Sequence, residues 1–200
     1  MKVLILANND GGLLHFRGEL IAELVKAGHE VNFCIPSGEL VPEIEKLGAS
    51  FIDNPFLIRR GTNPVDDIQL IRFYRKVLKR IQPDIVFTYT IKPNVYGGIL
   101  CGKFGIPYLV NITGLGTAVE NDGPLQKFTL GLYKLGLKRA QVVFFQNEAN
   151  RDFMVSRGIV GNRCDLLPGS GVNLQRFRPL DYPKDDGVIR FFFFARVMRE

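Results

Sequence analysis

The first 28 residues constrain the fold of this chain more than any other stretch. Lys2 to Ala7 is a short aliphatic run that suits a buried parallel strand. The polar and glycine-rich residues 8–12 interrupt that run, and from Phe16 apolar residues return at helical spacing until Gly28, which is placed to end a helix. A strand, a glycine-rich turn and a helix predict the opening unit of a doubly wound α/β fold, in which ligands bind at the carboxyl ends of the strands.

The rest of the chain continues the alternation of strands and helices. Further strands are predicted over residues 29–36, 49–53, 84–89, 107–111, 141–145 and 163–167. Helices are predicted over residues 38–47, 65–81, 95–104, 124–140 and 148–157. The βαβαβ order at the start favours a Rossmann-like parallel sheet with right-handed crossovers.

The sequence predicts one domain, a linker and the beginning of another domain. Residues 1–180 contain all the alternating units, and residues 181–187 are polar and have no periodicity, as in a linker. Residues 188–200 open with the apolar run VIRFFFFA, which we interpret as the first strand of a second, truncated domain. We therefore expect the chain to be a fragment of a longer protein.

Composition excludes several classes of protein. There are 26 basic and 20 acidic residues, a net charge of +6, which favours anionic partners such as phosphates or a membrane surface. The start lacks a signal-peptide pattern, and no apolar stretch reaches the roughly 20 residues that span a bilayer. The three widely spaced cysteines are typical of reduced cytoplasmic thiols, and with the two histidines they lack the spacing of a metal site. No nucleic-acid-binding motif is present.

The first glycine-rich turn has two interpretations. Gly11 and Gly12 would let backbone N–H groups approach an anionic ligand near the helix start, with His15 and Arg17 close by. Alternatively, the connection is a tight turn that merely needs glycine, and His15 has a structural or capping role. The pattern G-x-G-x-x-G is absent, which argues against dinucleotide binding.

Two later turns resemble the first one. The turn ITGLGT contains Gly114 and Gly116, and Asn111 and Thr113 supply hydrogen-bonding side chains there. A third glycine-rich turn surrounds Ser170. Because all three turns follow strands of one parallel sheet, they predict a functional cleft at a single edge.

Charged residues outside the turns are less informative. The helix at residues 65–81 has a basic face that either contacts an anionic membrane or is simply solvated. The carboxylate pairs Asp66–Asp67, at the start of that helix, and Asp185–Asp186, in the linker, are predicted to be solvated rather than catalytic.

Five segments together resemble the amino-terminal half of family 4 glycosyltransferases: GGLLHFRGELIAELVKAGHEV, YTIKPNVYGG, ITGLGT, FFQNEANRDFM and PGSGVNLQRFRP. The likeness extends to bacterial enzymes that lengthen undecaprenyl-pyrophosphate-linked glycans, such as N-acetylgalactosaminyltransferases. The resemblance implies a GT-B fold, in which two Rossmann-like domains face each other across a cleft. The amino-terminal domain then holds the acceptor and the carboxyl-terminal domain holds the nucleotide sugar.

The resemblance also implies a reaction and its partners. Sugar transfer would retain the anomeric configuration without metal or cofactor, and the leaving diphosphate would assist the acceptor hydroxyl. The implied partners are a nucleotide-sugar donor and a lipid-pyrophosphate-linked sugar or polysaccharide acceptor. We expect a cytoplasmic protein that contacts the inner membrane surface and does not bind nucleic acid.

The resemblance and the turns together give a set of candidate residues. Those expected to bind substrate are Gly11, Gly12, His15, Arg17, Lys92, Asn94, Thr113, Gly114, Gly116, Glu148 and Ser170. Arg196 matches the arginine that contacts the donor diphosphate in the family. Many relatives have a histidine where this chain has Thr113, so no catalytic residue is assigned. Capping of a helix is the alternative role for Glu148.

Two other functions remain open at this point. A sugar-nucleotide 2-epimerase has the same two-domain architecture, although it would need carboxylates and histidines that this half offers sparsely. A non-catalytic module that binds a glycolipid or another anionic ligand is the second alternative.

Overall fold

A computed structural model describes residues 1–58, 63–116, 119, 122–161, 163–184 and 186–195. Within them, seven strands form one sheet: β1 Lys2–Leu6, β2 Glu30–Ile35, β3 Ser50–Asp53, β4 Ile85–Tyr89, β5 Tyr108–Ile112, β6 Val142–Phe145 and β7 Cys164–Leu166. The helices are α1 Asp10–Lys26, α2 Val41–Glu45, α3 Pro64–Ile81, α4 Gly98–Phe104, α5 Pro124–Leu137 and α6 Glu148–Ser156. A π-helix, Pro93–Gly97, leads directly into α4.

The strand order is β3-β2-β1-β4-β5-β6-β7, and every neighbouring pair is parallel. Leu6 of β1 therefore lies between Cys34 of β2 and Thr88 of β4. The chain first adds β2 and β3 on one side of β1 and then adds β4 on the other side of β1, followed outward by β5, β6 and β7. This confirms the Rossmann-like fold and puts the loops after all seven strands on one edge, with a topological switch between β1 and β4.

Two apolar layers cover the sheet. Leu4 and Leu6 of β1 face the layer of α3, α4 and α5, whereas Val3 and Ile5 face α1 and α2. The alternation of side chains along a strand explains this division. The connections through α1 and α2 lead in one direction along the sheet, and those through α3, α4 and α5 lead in the other. Because each crossover is right-handed, the two groups of helices lie on opposite faces.

Glycines let the π-helix and α4 lie unusually close to α5. A Cβ on Gly98 would overlap the carbonyl oxygen of Gly136, and a Cβ on Gly136 would lie 2.8 Å from the Cα of Val95. The hydroxyl of Tyr108 donates to that same Gly136 carbonyl over 2.7 Å. This close packing holds the π-helix against the end of the sheet.

The start of α1 differs from the prediction. The helix begins at Asp10 rather than near Phe16, because Asn9 caps it and the two glycines form its first turn. The buried side of α1 consequently contains Leu13, Arg17, Gly18 and Ile21, while Phe16 is 58% exposed. Of the apolar residues at helical spacing, Ile21 is therefore buried and Leu24 and Val25 pack against the core, whereas Phe16 faces solvent.

The described residues from Pro168 onward form neither a helix nor a strand and are exposed to solvent. Phe191 to Phe194 have side chains that are at least 90% exposed, and no strand forms in the described part, 188–195, of the predicted strand. The assignment of 188–200 to a second domain stays a prediction, as do the boundaries 1–180 and 181–187. Among the described helices, none combines the length and the apolar character that crossing a bilayer requires.

Candidate functional site

The candidate site lies at the carboxyl edge of the sheet, where β1 and β4 are neighbours and the connections diverge. A crevice forms at such a switch point because the loops after the two strands turn to opposite faces. The loop after β1 leads into α1, and the loop after β4 leads into the π-helix. A π-helix is rare and is found often at functional sites, which independently favours this position.

Asn9, Asp10, Gly11 and Gly12 form one side of the crevice, the β1 wall. The Asn9 Oδ1 atom accepts a hydrogen bond from the Gly12 N–H over 2.5 Å, and the Asp10 Oδ1 atom accepts one from the Gly11 N–H over 2.7 Å. The second Asp10 oxygen accepts from the Leu40 N–H over 2.9 Å. The Gly11 and Gly12 N–H groups, which the sequence predicted to face an anionic ligand, therefore already donate hydrogen bonds to side chains of the protein itself.

Arg17 joins the β1 wall to the end of β4. Its guanidinium lies 4.9 Å from the ring centroid of Tyr89, and the residue is only 8% exposed. Burial raises the pKa of Tyr89, and the adjacent Arg17 partly opposes that shift. Arg17 thus links the two sides of the crevice, while His15, two positions earlier in α1, is exposed.

Thr90, Asn94 and Asn111 form the other side, the β4–β5 wall. The Asn94 side chain is buried and donates from Nδ2 to the backbone oxygen of Asn111 over 3.2 Å. The Asn94 N–H donates to the Thr90 carbonyl oxygen over 3.0 Å. These bonds place the three residues next to one another, across the β4–β5 pair in which Tyr89 lies opposite Asn111.

Three oxygens of the β4–β5 wall have unused hydrogen-bonding capacity. Thr90 Oγ1, Asn94 Oδ1 and Asn111 Oδ1 are buried, and no hydrogen bond reaches them within the part of the chain that the structure describes. A buried polar atom without a partner costs about 1–3 kcal/mol, so proteins rarely retain several together. A cluster of unpartnered acceptors is expected where a ligand or an ordered water completes the hydrogen bonding.

Thr90 is also in a strained conformation. Its φ is +71°, in the left-handed region that a β-branched residue seldom adopts. Backbone strain of this kind is concentrated at binding and catalytic sites, where a fixed geometry is worth its energetic cost. The positive φ of Thr90 turns the chain sharply from β4 into the π-helix, and Asn94 consequently lies next to the end of the strand.

Lys92 does not project freely into the crevice. Its Nζ lies 2.8 Å from Asp67 Oδ1 of α3, and both side chains are largely buried. The hydroxyl of Tyr96 donates to the other Asp67 oxygen over 2.7 Å, and burial together with this bond raises the pKa of Tyr96. The prediction that Asp67 is solvated is therefore wrong: it anchors the π-helix to α3.

The loop after β5 borders the crevice next to the β4–β5 wall. Thr113 and Gly114 are exposed there, and Gly116 has a φ of +76°. A Cβ on Gly116 would lie 3.0 Å from the Cδ1 atom of Ile91, so this loop packs on the loop after β4. The end of the predicted turn, Thr117, lies outside the described residues.

Two candidate residues belong to the loops farthest from β1. Glu148 is exposed in the first turn of α6, where Asn147 supplies the cap by accepting from the Asn150 N–H over 2.8 Å. Ser170 is exposed and accepts from Gln146 Nε2 over 3.2 Å, which ties the β6 and β7 loops together. Arg196 lies outside the described residues, as does Asp185.

The structure brings Arg17, Lys92 and Asn94 to the switch point and leaves Glu148 and Ser170 at the far end of the same edge. Sequence reasoning missed Thr90, whose only signal was its place directly after the strand predicted over residues 84–89. It named Asn111 as a hydrogen-bonding residue but did not detect that its buried amide oxygen has no hydrogen-bond partner among the described residues. Among the described residues, no three His, Cys, Asp or Glu side chains are grouped as metal ligands.

Comparison with known sequences gives a family match and a relative. The profile of the glycosyl transferase 4-like domain matches residues 11–169. An N,N'-diacetylbacillosaminyl-diphospho-undecaprenol alpha-1,3-N-acetylgalactosaminyltransferase from Campylobacter jejuni is 31% identical over 186 residues, which make up 90% of this chain and 49% of that protein.

Solved structures with the same fold include a glycosyltransferase from Rickettsia africae, with a TM-score of 0.62 and 18% identity over 92% of this chain and 46% of that one. A UDP-GlcNAc 2-epimerase from Neisseria meningitidis has a TM-score of 0.60 and 16% identity, over 83% and 45% of the two chains. The chain thus spans about half the length of these relatives. At such identities the two structures support the fold alone.

Proposed function

Because this chain belongs to the glycosyl transferase 4-like family, we propose that it forms the acceptor-binding half of an enzyme that moves a hexosyl residue from a nucleotide sugar to a lipid-linked acceptor. The unfilled hydrogen-bonding capacity of the β4–β5 wall is the observation that carries the proposal. A sugar presents hydroxyl groups that can donate to all three oxygens. Lipid-linked acceptors are proposed because the Campylobacter jejuni relative is named for one.

In this proposal the described residues bind and orient the acceptor rather than attack the donor. Thr90, Asn94 and Asn111 hold the acceptor sugar, and the Arg17–Tyr89 contact keeps the crevice in shape. Catalysis then rests on positioning, since fixing an acceptor hydroxyl beside the donor removes much of the entropic barrier. We propose that the leaving diphosphate takes the proton of that hydroxyl, that the configuration is retained and that no metal is required.

The transfer reaction is proposed for the protein in which this domain is joined to a donor-binding half. That enzyme would contribute to polysaccharide or glycan assembly while lying on the inner face of the membrane. Arg196 keeps its proposed contact with the donor diphosphate, and the exposed residues Thr113, Gly114, Glu148 and Ser170 keep their proposed substrate-binding roles.

The test is a transfer assay with the full-length protein. A panel of nucleotide sugars is offered together with undecaprenyl-diphosphate-linked sugars, with and without EDTA, and the product linkage is determined by NMR. We expect a lipid-linked product with the donor's anomeric configuration and an unchanged rate in EDTA. Transfer with inversion, or a requirement for added Mg²⁺ or Mn²⁺, would overturn the corresponding part of the proposal.

The same assay distinguishes the epimerase. Release of free nucleotide with inversion at C2 of the sugar, and no acceptor product, would identify a 2-epimerase and refute transfer. Binding of the acceptor without turnover of any donor would identify a binding module. The family match favours transfer over both alternatives, since the epimerase likeness is one of fold.

A further inference from the structure

Helix α5 has two apolar faces, although only one of them packs against the sheet. The inner face consists of Gln126, Thr129, Leu130, Tyr133, Gly136 and Leu137, all buried. A second set of apolar residues, spaced three or four positions apart, lies on the outer side: Leu125, Phe128, Leu132 and Leu135. We call these four residues the apolar stripe.

The apolar stripe is largely open to solvent. Leu125 is 58% exposed, Phe128 is 65% exposed and Leu135 is 60% exposed, while Leu132 is partly buried. Gly131, in the same sector of the helix, would meet no atom within 4 Å if it had a Cβ. Large apolar side chains in one continuous row are unusual on a free surface and mark a site of contact.

Lysines flank the stripe along one side. Lys127 and Lys134 of α5 and Lys138, which follows its last residue with helical backbone angles, are spaced by seven and four residues and so project from one sector at about 100° per residue. All three are exposed. No acidic residue occurs between Asp122 and Glu148, so nothing in this stretch neutralises the lysines locally. The outer side of α5 thus joins an apolar row to a uniformly basic row.

We propose that α5 binds the surface of an anionic lipid bilayer. The apolar stripe enters the boundary between headgroups and acyl chains, and the three lysines contact the lipid phosphates while their aliphatic stems cover apolar surface. This proposal rests on the proposed function in one respect, because a lipid-linked acceptor is presented at such a surface. Charge complementarity selects the bilayer as the occupant of the stripe.

The position of α5 suits that role. The helix starts close to the carboxyl edge, where the Gln126 side chain donates to the Val119 carbonyl over 2.7 Å, and it runs antiparallel to the strands. Fourteen residues extend about 21 Å along the flank of the domain. Leu125 and Phe128 are at the end nearest the crevice, so the bilayer would lie beside the entrance to the acceptor site.

The basic face of α3 is a weaker candidate for the same contact. Its exposed apolar residues Val65 and Ile68 flank the acidic pair Asp66–Asp67. Between Arg72 and Arg80, where the basic residues of α3 lie, no large apolar side chain is exposed. Such a face can attract anionic lipid but has little to insert, whereas α5 has both components.

The test is sedimentation of the full-length protein with vesicles of phosphatidylglycerol and phosphatidylcholine in equal parts, compared with phosphatidylcholine alone. We expect binding to the anionic vesicles. The double variant Phe128→Ser/Leu135→Ser should lower the partition coefficient at least about tenfold, since binding scales with inserted apolar area. The variant Lys127→Gln/Lys134→Gln should bind less at low salt and show a weaker salt dependence.

A matched control uses exposed apolar residues on the opposite face of the sheet. Phe16 and Leu20 of α1 are 58% and 38% exposed, and Phe16→Ser/Leu20→Ser should bind vesicles as the unaltered protein does. Equal loss in the control and the α5 variant, or no loss in the α5 variant, would overturn the proposal.

Other occupants of the stripe give different results without vesicles. If a second copy covers it, light scattering would show a dimer that Phe128→Ser/Leu135→Ser dissociates. If the remaining chain covers it, the same variant would lower the melting temperature by several degrees. Either result refutes the bilayer.

The test is separate from that of the proposed function. The α5 variant should still transfer sugar to a short, water-soluble acceptor in the absence of vesicles. Vesicle binding through α5 without transferase activity would support the membrane-binding role of α5 and refute the proposed function. Transferase activity without vesicle binding through α5 would support the proposed function and refute the membrane-binding role.

Discussion

The two walls of the crevice differ in how their polar groups are used. On the β1 wall, the Gly11 and Gly12 N–H groups are hydrogen-bonded to Asp10 and Asn9, so the wall is complete by itself. On the β4–β5 wall, buried oxygens of Asn94 and Asn111 have no partner among the described residues. The difference indicates that the β1 wall stabilises the fold, whereas the β4–β5 wall has capacity left for a ligand.

The largest predicted effect concerns the support of the β4–β5 wall. Lys92→Met leaves the Asp67 carboxylate largely buried without its cation, which should lower the free energy of unfolding by about 2 kcal/mol. The second substitution Asp67→Asn removes the uncompensated charge, and the double variant should regain most of that stability. Urea denaturation of the single and double variants measures both values.

The Lys92 variants also test whether this residue binds substrate directly. If the stable double variant transfers sugar nearly as well as the unaltered enzyme, Lys92 is a positioning residue that holds the π-helix. A stable double variant with an undetectable rate would instead return Lys92 to the binding residues, as its sequence context predicted, and would enlarge the ligand-binding wall.

The next largest effect is expected at Asn111. Asn111→Leu removes the unpartnered oxygen and should cut kcat/KM about tenfold, since one hydrogen bond to the acceptor is worth about 1.4 kcal/mol. The unliganded protein should be no less stable, because the lost amide oxygen had no protein partner. Steady-state kinetics tests the expected fall in kcat/KM, and urea denaturation tests the expected stability. A destabilised variant with normal kinetics would show that Asn111 is structural and would remove the contrast between the walls.

On the β1 wall we expect a smaller effect, which lowers stability and leaves the kinetics nearly unchanged. Asn9→Ala removes the cap of α1 and should lower stability by about 1 kcal/mol, while kcat/KM changes less than twofold. Thermal denaturation and the transfer assay measure the pair of effects. Asn9→Ser keeps a capping oxygen and is the control that should recover the stability. A large kinetic loss in a capped, stable Asn9→Ser variant would show that this wall binds ligand after all.

The fold was predictable from the sequence to a far greater extent than the site was. Apolar runs such as Lys2 to Ala7 form strands because a parallel sheet is buried on both faces, and the turns after them mark the strand ends. The start of α1 was missed because glycines at 11 and 12 weaken the helical pattern, while the Asn9 cap compensates for them.

The site was harder to predict because its properties are relations between distant residues. Asp67 and Lys92 are 25 positions apart, and nothing in either local pattern reveals that they pair. The free oxygen of Asn111 depends on what its neighbours leave unbonded, which only the packed structure shows. Glycine-rich turns pointed to the carboxyl edge of the sheet, but they drew attention to the wall whose N–H groups are already bonded.

The smallest predicted effect separates strain from binding at Thr90. Thr90→Gly relieves the positive φ, and the gain should slightly exceed the backbone entropy that glycine loses, for a net stabilisation of about 0.5 kcal/mol. Thr90→Ala keeps the strain and loses the same unpartnered Oγ1, so the stability of Thr90→Gly relative to Thr90→Ala isolates the contribution of the strain. Both variants lose the hydroxyl and should show the same few-fold rise in KM for the acceptor. Equal stability of Thr90→Gly and Thr90→Ala would mean that the strain is negligible. A normal KM in both would mean that the hydroxyl has no ligand, which leaves the two asparagines alone to distinguish the β4–β5 wall from the β1 wall.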